Sequence, residues 1–328
     1  MYKIFTVLFL SLCQALAALP SSAPQQVIEE KTSTKSYFVG ELGMAWQFPS
    51  DHLPVGASID NIHFALWNTL NTKYLHWIEK NGQGLRDSLI LNTNIPHLEN
   101  SILTVREDIV IEYIMKMLNH PTHPRSVLAL QEVGECLFKE LSFRLPDFMH
   151  IFPENADEQK IEDVFMIDTR IFDIVDSEIS QYTFSHNTIV RVLLREKATG
   201  LQYCFIQSHV PGGPVNSLPA RVELAEKVMQ AYNAENISIV LGDMNCSSDY
   251  FFPQFEEAAK NIGIATQPFI DIGIPYPTHI STQMEACWID NIFIANPYPQ
   301  IESHIAKDGL ELFEELQPTL DLLESLKP

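Results

Sequence analysis

The sequence is poor in basic residues. Lys and Arg together number 21 against 42 Asp and Glu, which gives the 328-residue chain a formal net charge of −21. Affinity for nucleic acid normally comes from Lys and Arg that displace counterions, so this shortage excludes diffuse attraction to a polyanion as the main binding force. No extended basic surface is expected. An acidic chain that handles a phosphate must do so at a local site, and a bound metal ion would supply the missing positive charge.

Long hydrophobic runs are also absent. The apolar run from Ile4 to Leu12 is too short to span a bilayer stably, and no later segment approaches the required length. The run follows Lys3 and precedes Ala15-Leu16-Ala17, which satisfies the small-x-small rule of signal peptidase. Residues 1–17 are therefore predicted to be a cleavable signal peptide, and the protein to be secreted or periplasmic.

Cysteines are few. Behind the leader the chain keeps four, which are Cys136, Cys204, Cys246 and Cys287. An even number in an oxidising compartment allows three full disulfide pairings, and none of the spacings is that of a zinc site. Buried free thiols, which behave as small hydrophobic residues, are the alternative. The sequence leaves both open.

One domain is predicted behind a linker. Residues 18–58 are assigned to a linker and amino-terminal extension, because their first part is rich in Pro, Ser, Gln, Thr and charged residues with little apolar periodicity. Residues 59–328 carry no internal repeat and no second linker, and are assigned to a single catalytic domain.

The apolar runs of this domain are short, rich in β-formers and bounded by turn residues, which is typical of buried strands. They lie at 62–67, 126–131, 164–167, 188–194, 202–208, 237–241 and 288–295. Apolar residues recur at helical spacing over 106–118 and 219–232. Strands interleaved with helices predict a layered α/β fold in which helices cover the sheets.

Polar residues follow several of these runs, where a purely structural strand would not need them. These ends are Asn68 and Asn71, Gln131-Glu132, Ser208-His209, Asp243 to Asn245, and Asp290-Asn291. Singly, each is an ordinary turn residue. Together, side chains at the ends of neighbouring strands can converge on one crevice at the edge of a sheet.

The order of these motifs resembles the endonuclease/exonuclease/phosphatase superfamily over about residues 59–295. The resemblance is carried by Gln131-Glu132-Val133, Ser208-His209, Gly242-Asp243-Met244-Asn245 and Ile289-Asp290-Asn291-Ile292-Phe293. It implies a four-layer αββα sandwich like that of deoxyribonuclease I, with a phosphoesterase site at one edge.

The resemblance also implies roles for single residues. Glu132 matches the family's metal carboxylate, with Asn68 beside it as a metal and phosphate contact, and Mg²⁺ suits such a sparse site, with Mn²⁺ as a second choice. Asp243 matches the residue that orients or deprotonates the attacking water. Asn245 matches the residue that hydrogen-bonds the scissile phosphate, and His209 the histidine that contacts the phosphate or protonates the leaving group.

Two further residues are weaker candidates. Glu162 stands where deoxyribonuclease-like members carry a Glu that pairs with that histidine, although Glu158 or Asp163 could serve instead. Arg191 stands where the family often places an Arg beside the phosphate, and a strand-edge Arg facing water is its alternative.

The resemblance breaks at the carboxyl end. Members normally carry Ser-Asp-His just before the last strand, and its His pairs with the carboxylate that Asp290 matches. Gln317, Pro318 and Thr319 stand there instead. Ser303-His304 is the other candidate, so either His304 replaces the missing histidine or the site is impaired. The acidic stretch 311–324 has near-helical apolar spacing and is expected to pack in place of the missing strand.

The predicted function is a secreted Mg²⁺-dependent phosphoesterase that hydrolyses a phosphodiester through metal-assisted attack of an activated water. The substrate would be a nucleic acid, a phospholipid or a small phosphodiester. The alternative is a catalytically impaired member that binds a phosphate ligand or a protein. A Ser-His-Asp hydrolase is excluded because no Gly-x-Ser-x-Gly elbow is present.

Overall fold

The computed structural model describes residues 37–38, 50–74, 99–183, 185–212, 217–264, 266–274, 278–280, 285–298 and 303–305. The predicted signal peptide and the acidic stretch 311–324 lie outside these residues. Within the described part, no helix is long and apolar enough to cross a membrane.

The described chain forms fifteen strands and five helices. The strands are β1 (Tyr37–Phe38), β2 (Val55–Ile59), β3 (Ile62–Asn68), β4 (Val127–Gln131), β5 (Met149–Phe152), β6 (Val164–Asp168), β7 (Phe172–Gln181), β8 (Thr188–Glu196), β9 (Gln202–Ser208), β10 (Ile237–Asp243), β11 (Ile270–Asp271), β12 (His279–Ile280), β13 (Glu285–Cys287), β14 (Asp290–Ala295) and β15 (Ser303–Ile305). The helices are α1 (Glu99–Leu118), α2 (Glu135–Arg144), α3 (Ala156–Gln159), α4 (Ser217–Ala231) and α5 (Ser248–Asn261). The predicted strands and the two predicted helices that fall within the described residues are present, with shifts at their ends; the largest is at α1, which begins at Glu99 where the sequence predicted 106.

Two six-stranded sheets make the core of the fold. The first has the order β15-β2-β3-β4-β6-β5 and the second the order β11-β14-β10-β9-β8-β7, while β1, β13 and β12 form a small third sheet. One apolar cluster fills the space between the two large sheets. A second cluster packs α1 and α2 on the first sheet, and a third packs α4 and α5 on the second. The predicted four-layer αββα sandwich is confirmed.

Strand pairing brings the polar strand ends to one edge. In the first sheet β3 and β4 are parallel, and Asn68 pairs with Gln131. In the second sheet β9 and β10 are parallel, while β14 runs antiparallel to β10 so that Asp243 pairs with Asp290. The carboxyl ends of four strands and the start of a fifth therefore meet where the two sheets face each other.

The sheet begins earlier in the chain than the boundary at residue 59 that the sequence suggested. β2 lies between β15 and β3, and its residues are buried, with Val55, Ala57 and Ile59 in the core between the sheets. The strand Val55–Ile59 thus lies largely within the stretch that the sequence assigned to the linker and amino-terminal extension. The segment is short and only half of its residues are strongly apolar, so it carries little strand signal.

Within the described residues, none of the four cysteines behind the leader forms a disulfide. Cys136 is exposed, Cys204 and Cys246 are buried, and Cys287 is half-buried. The disulfide alternative is therefore not found there, and Cys204 and Cys246 are buried as the other alternative expects.

Gly242 sits where β10 approaches β9 most closely, next to the site. A Cβ at this position would lie 2.0 Å from the Ser208 carbonyl oxygen. We expect Gly242→Ala to lower the free energy of unfolding by about 3 kcal/mol, because backbone must move to admit the methyl group. Urea denaturation measures the change. Gly200→Asn is the control, since Gly200 has a φ of +78° with nothing within 4 Å of its Cβ position. Equal losses in both variants would contradict the close approach.

Candidate active site

The predicted strand ends form one cluster, held together by hydrogen bonds between the sheets. Asn68 Nδ2, at the end of β3, lies 3.4 Å from Asp243 Oδ2 at the end of β10. Gln131 Oε1, from the first sheet, accepts a 2.9 Å hydrogen bond from the Asp243 backbone N–H. These contacts fix the two sheet edges relative to each other, and Asn68, Gln131 and Asp243 are all buried.

Glu132 presents its carboxylate at the centre of this cluster. Oε1 accepts a hydrogen bond from Asn68 Nδ2 at 3.1 Å, and Oε2 accepts one from the Asn71 backbone N–H at 3.2 Å. The residue has a φ of +54°, a strained conformation for a non-glycine residue and one that concentrates at functional sites. Burial raises the pKa of Glu132, opposed by the charge of His209.

His209 follows β9 and lies between two carboxylates. Its Nδ1 is 3.6 Å from Glu132 Oε1, and its Nε2 is 3.6 Å from Asp243 Oδ2. Burial alone would lower the pKa of His209, but the charges of Asp243 and Glu132 outweigh it and raise the pKa. These neighbours therefore favour the charged form of the imidazole.

Asp243 and Asn245 form a tight turn after β10. Asp243 Oδ1 accepts a hydrogen bond from the Asn245 backbone N–H at 2.8 Å, which leaves Oδ2 facing the cluster. Asn245 has a φ of +49°, and its Nδ2 donates to the Val210 carbonyl oxygen at 2.7 Å. Burial raises the pKa of Asp243, although His52 and His209 oppose the shift.

His52 is the site residue that sequence reasoning missed. Its Nδ1 donates to Asp290 Oδ2 at 2.9 Å, and its Nε2 lies 3.6 Å from Asp243 Oδ2. Trp67 Nε1 donates to the His52 carbonyl oxygen at 3.1 Å. Burial would lower the pKa of His52, but the charge and hydrogen bond of Asp290 raise it well above the ordinary value. Asp290 thus has the histidine partner that the carboxyl end of the chain did not offer.

This histidine closes the tripeptide Ser50-Asp51-His52, so treating Ser-Asp-His as missing was wrong. The family carries this motif near the carboxyl end, whereas here it precedes β2. Ser50 Oγ donates to the Asn68 carbonyl oxygen at 2.7 Å and accepts from the His52 backbone N–H at 3.1 Å. The tripeptide Ser50-Asp51-His52, which Leu53-Pro54-Val55 follow, was the sequence signal that could have identified His52.

Thr278 and His279 contact both the segment 51–53 and Asp290. The Leu53 backbone N–H donates to the Thr278 carbonyl oxygen at 2.7 Å, and Thr278 Oγ1 accepts from the Asp290 backbone N–H at 3.1 Å. The His279 ring lies 4.5 Å from the His52 ring, and its Nε2 is 3.7 Å from Asp51 Oδ2. Both partners of the His52–Asp290 pair are thereby anchored to one segment.

His304 does not take the place of the missing histidine. β15 pairs antiparallel with β2, and the backbone of His304 stands opposite Ser58. Ser58 in turn pairs with His63, at the start of β3, whereas Asn68 is at its end. Five residues of strand correspond to roughly 16 Å, so His304 lies toward the opposite end of the sheet.

Glu162 and Arg191 contact residues other than those predicted. Glu162 receives an ion pair from Lys73, and Tyr74 OH lies 3.5 Å from its Oε2. Arg191 Nη2 is 2.6 Å from Asp176 Oδ2 and 3.3 Å from Glu178 Oε2, so the guanidinium forms ion pairs with both carboxylates.

The carboxylate that turns inward is Asp163, one residue after Glu162. It is buried, accepts from Thr188 Oγ1 at 2.8 Å, and contributes to the raised pKa of His209. Asp163 was weighed as an alternative to Glu162, and it is the one that interacts with His209 electrostatically.

Carboxylates of the cluster could hold a divalent cation. Two groups within the described residues bring possible ligand atoms together, Asp51-His52-His279 and His52-Asp243-Asp290; each includes histidine, and neither includes Glu132. Asp290 Oδ1 is buried and has no hydrogen-bond partner in the described part of the chain. Burial of the Glu132 carboxylate raises its pKa. A bound cation would offset the cost of burying this negative charge.

The side-chain amide of Asn68, which the sequence predicted to contact the metal and the phosphate, makes hydrogen bonds within the cluster. Its Oδ1 accepts from the Leu70 backbone N–H at 3.1 Å, and its Nδ2 faces Glu132 and Asp243. In this arrangement Asn68 orients the two carboxylates as a hydrogen-bond donor.

Comparisons with known proteins give similarity in fold. No family model and no curated protein matches the sequence. An endonuclease/exonuclease/phosphatase family protein from Bacteroides thetaiotaomicron is 13% identical, with 74% of this chain and 84% of that chain covered and a TM-score of 0.48. A mannosyl-6-phosphatase from the same organism is 16% identical (71% and 85% covered, TM-score 0.47). D. rerio TDP2 complexed with single strand DNA product is 16% identical (62% and 81% covered, TM-score 0.43). The αββα architecture of this chain is the one that the superfamily resemblance implies.

Asp163 makes stability depend on pH. Burial raises the pKa of this carboxyl to about 7, well above its value in the unfolded chain. A raised folded-state pKa gives stability that is complete below the unfolded pKa and is lost as pH rises through the folded pKa. We expect Asp163→Asn, which is neutral throughout, to gain about 2–4 kcal/mol relative to wild type between pH 4 and pH 8. Urea denaturation at several pH values measures this, and parallel curves would contradict it.

Proposed function

We propose that this chain is a metal-dependent phosphoesterase of the endonuclease/exonuclease/phosphatase superfamily that hydrolyses a phosphodiester through attack of an activated water. One observation carries the proposal. Glu132, Asp243, His209 and the His52–Asp290 pair converge at the shared edge of the two sheets. Carboxylates for a cation and a water, with imidazoles for a phosphate, are the groups that such hydrolysis needs.

Glu132 is the proposed metal ligand, and Mg²⁺ is the proposed metal, with Mn²⁺ as a substitute. Its carboxylate is fixed by Asn68 and by the Asn71 backbone, so it needs no rearrangement to bind a cation. Mg²⁺ prefers one or two carboxylates together with waters and substrate oxygens. When bound, the metal would polarise a phosphoryl oxygen and stabilise the charge that develops on it.

Asp243 Oδ2 is the proposed acceptor of the water's proton. The Asn245 backbone N–H occupies Oδ1 and aims Oδ2 into the cluster. Burial raises the pKa of this carboxyl, which makes it a better base than an exposed aspartate. Asn245, held by Val210, would orient the phosphate beside it.

His52 and His209 are the proposed phosphate contacts. Their Nε2 atoms each lie 3.6 Å from Asp243 Oδ2. Asp290 orients His52 through Nδ1 and keeps its charged form favoured, so Nε2–H is available to stabilise negative charge on the phosphate. Ser50-Asp51-His52 would then be the family's motif, displaced to the amino end.

The competing proposal, an impaired module that only binds, loses its main support. It was motivated by the absence of a histidine to pair with Asp290, and His52 makes that pair. Hydrolysis is therefore the better proposal. Secretion stays a prediction of the leader, and the substrate a phosphodiester of nucleic acid, phospholipid or a small molecule.

The histidine assignment is tested by hydrolysis of bis-p-nitrophenyl phosphate with Mg²⁺, Mn²⁺ or EDTA. Loss of a transition-state contact costs roughly two to four orders of magnitude in kcat, and this is expected for His52→Gln. The matched control is His304→Gln, expected to leave kcat unchanged. Glu132→Gln should abolish the metal-dependent part of the rate.

The outcomes separate the possibilities. A large loss in His304→Gln with none in His52→Gln would restore the carboxyl-terminal alternative. No turnover by wild type with any metal, extended to plasmid DNA and sphingomyelin, would overturn the hydrolase proposal.

A further inference from the structure

An ion pair that the mechanism does not use lies beside Glu132. Lys73, just after β3, donates through Nζ to Glu162 Oε1, just before β6. Glu162 was predicted to pair with His209, but its described partners are Lys73 and Tyr74. The pair thus joins two segments that flank the proposed metal ligand.

Both partners are tied to the loop that carries Glu132. The Lys73 backbone N–H donates to Asn71 Oδ1 at 3.1 Å, and the Asn71 N–H donates to Glu132 Oε2 at 3.2 Å. On the other side, the Val133 N–H donates to the Glu162 carbonyl oxygen at 2.9 Å. Lys73 and Glu162 therefore stand at the rim of the site on rigid backbone.

The Lys73 ammonium is open to a ligand. Its side chain is 53% exposed, and Nζ lies 4.7 Å from the centre of the Tyr74 ring. Partial burial would lower the pKa of Lys73, but the hydrogen bond to Glu162 outweighs it and raises the pKa, so the group is charged. Arg106, a second cation packed against this segment in the described part of the chain, is buried and donates to the carbonyl oxygens of Thr69 and Leu70.

We infer that Lys73 binds a second anionic group of the substrate, a phosphate next to the scissile one. The inference rests on the proposed function. In a chain with a net charge of −21, a ligand with two phosphates needs a local cation for the group that the metal does not reach. A flanking phosphate of an oligonucleotide and the second phosphate of a small bisphosphate share this chemistry.

Glu162 then competes with the phosphate for the Lys73 ammonium, and it also holds the Lys73 side chain in place. Its carboxylate neutralises Lys73 when no substrate is present, and a phosphate must share or displace it. Removing the ammonium and removing its partner should have different effects. Lys73→Met should weaken the second contact, whereas Glu162→Gln should preserve or strengthen it.

The test compares substrates with one and two phosphates. Dithymidine monophosphate (TpT) and its 5′-phosphorylated form (pTpT) are assayed for kcat/KM, and binding of pTpT is measured by calorimetry with Ca²⁺ and EDTA. Glycerophosphoinositol, a phosphodiester, and glycerophosphoinositol 4-phosphate, the same diester with a second phosphate, form the small-molecule arm. Lys197→Met is the matched control. Lys197 is also half exposed, and it pairs with Asp173 at the end of the second sheet opposite the site.

We expect wild type to favour the doubly phosphorylated member of one pair by about 10-fold, and Lys73→Met to lose that preference with activity on TpT retained. Glu162→Gln and Lys197→Met should keep it. The preferred pair identifies the source of the second phosphate.

Two results would overturn the inference. One is an unchanged preference in Lys73→Met, in turnover and in binding alike. The other is an equal loss in Lys73→Met and Glu162→Gln, which would make the pair a structural brace. Failure of the hydrolase proposal is distinguishable, because it abolishes turnover in wild type while the binding comparison still measures the effect of Lys73.

Discussion

The burial of negative charge at the junction of the two sheets is the constraint on which the rest of the site depends. Glu132, Asp243 and Asp290 are all buried, and isolated carboxylates in such a place would be costly. Two imidazoles, His52 and His209, lie among them, and the neighbouring carboxylates raise the pKa of both and so favour their charged forms. The same concentration of carboxylates that requires the histidines also creates the demand for a cation.

The sandwich supplies the precision that this arrangement needs. Parallel pairs β3–β4 and β9–β10 end at the same edge, and antiparallel β14 begins there. Gln131 reaches from one sheet to the backbone of Asp243 in the other, and Gly242 permits the close approach of β10 to Ser208. Because these contacts belong to buried strands, the charged groups are oriented by the core rather than by exposed loops.

Much of this could be predicted from the sequence, since the fold follows from local patterns. Residues 202–208 were predicted as a strand with the bounds that β9 has, and Glu132, His209, Asp243 and Asp290 stand in compact motifs at strand ends. Side-chain direction could not be predicted as well. A shift of one residue turns a side chain to the other face, which is why Asp163 rather than Glu162 interacts with His209. Arg191 likewise faces Asp176 and Glu178. His52 was missed because its Ser-Asp-His motif stands before β2 and not near the carboxyl end, where the family carries it. Its pairing with Asp290, 238 positions away, is set by tertiary structure.

The central claim is that His52 and Asp290 act as one unit at the site. A double-mutant cycle of His52→Gln and Asp290→Asn, followed by kcat/KM on bis-p-nitrophenyl phosphate, tests it most directly. If Asp290 acts through His52, the double variant should be no slower than the slower single variant. Losses that multiply in the double variant would show that the two residues act independently and would contradict the account.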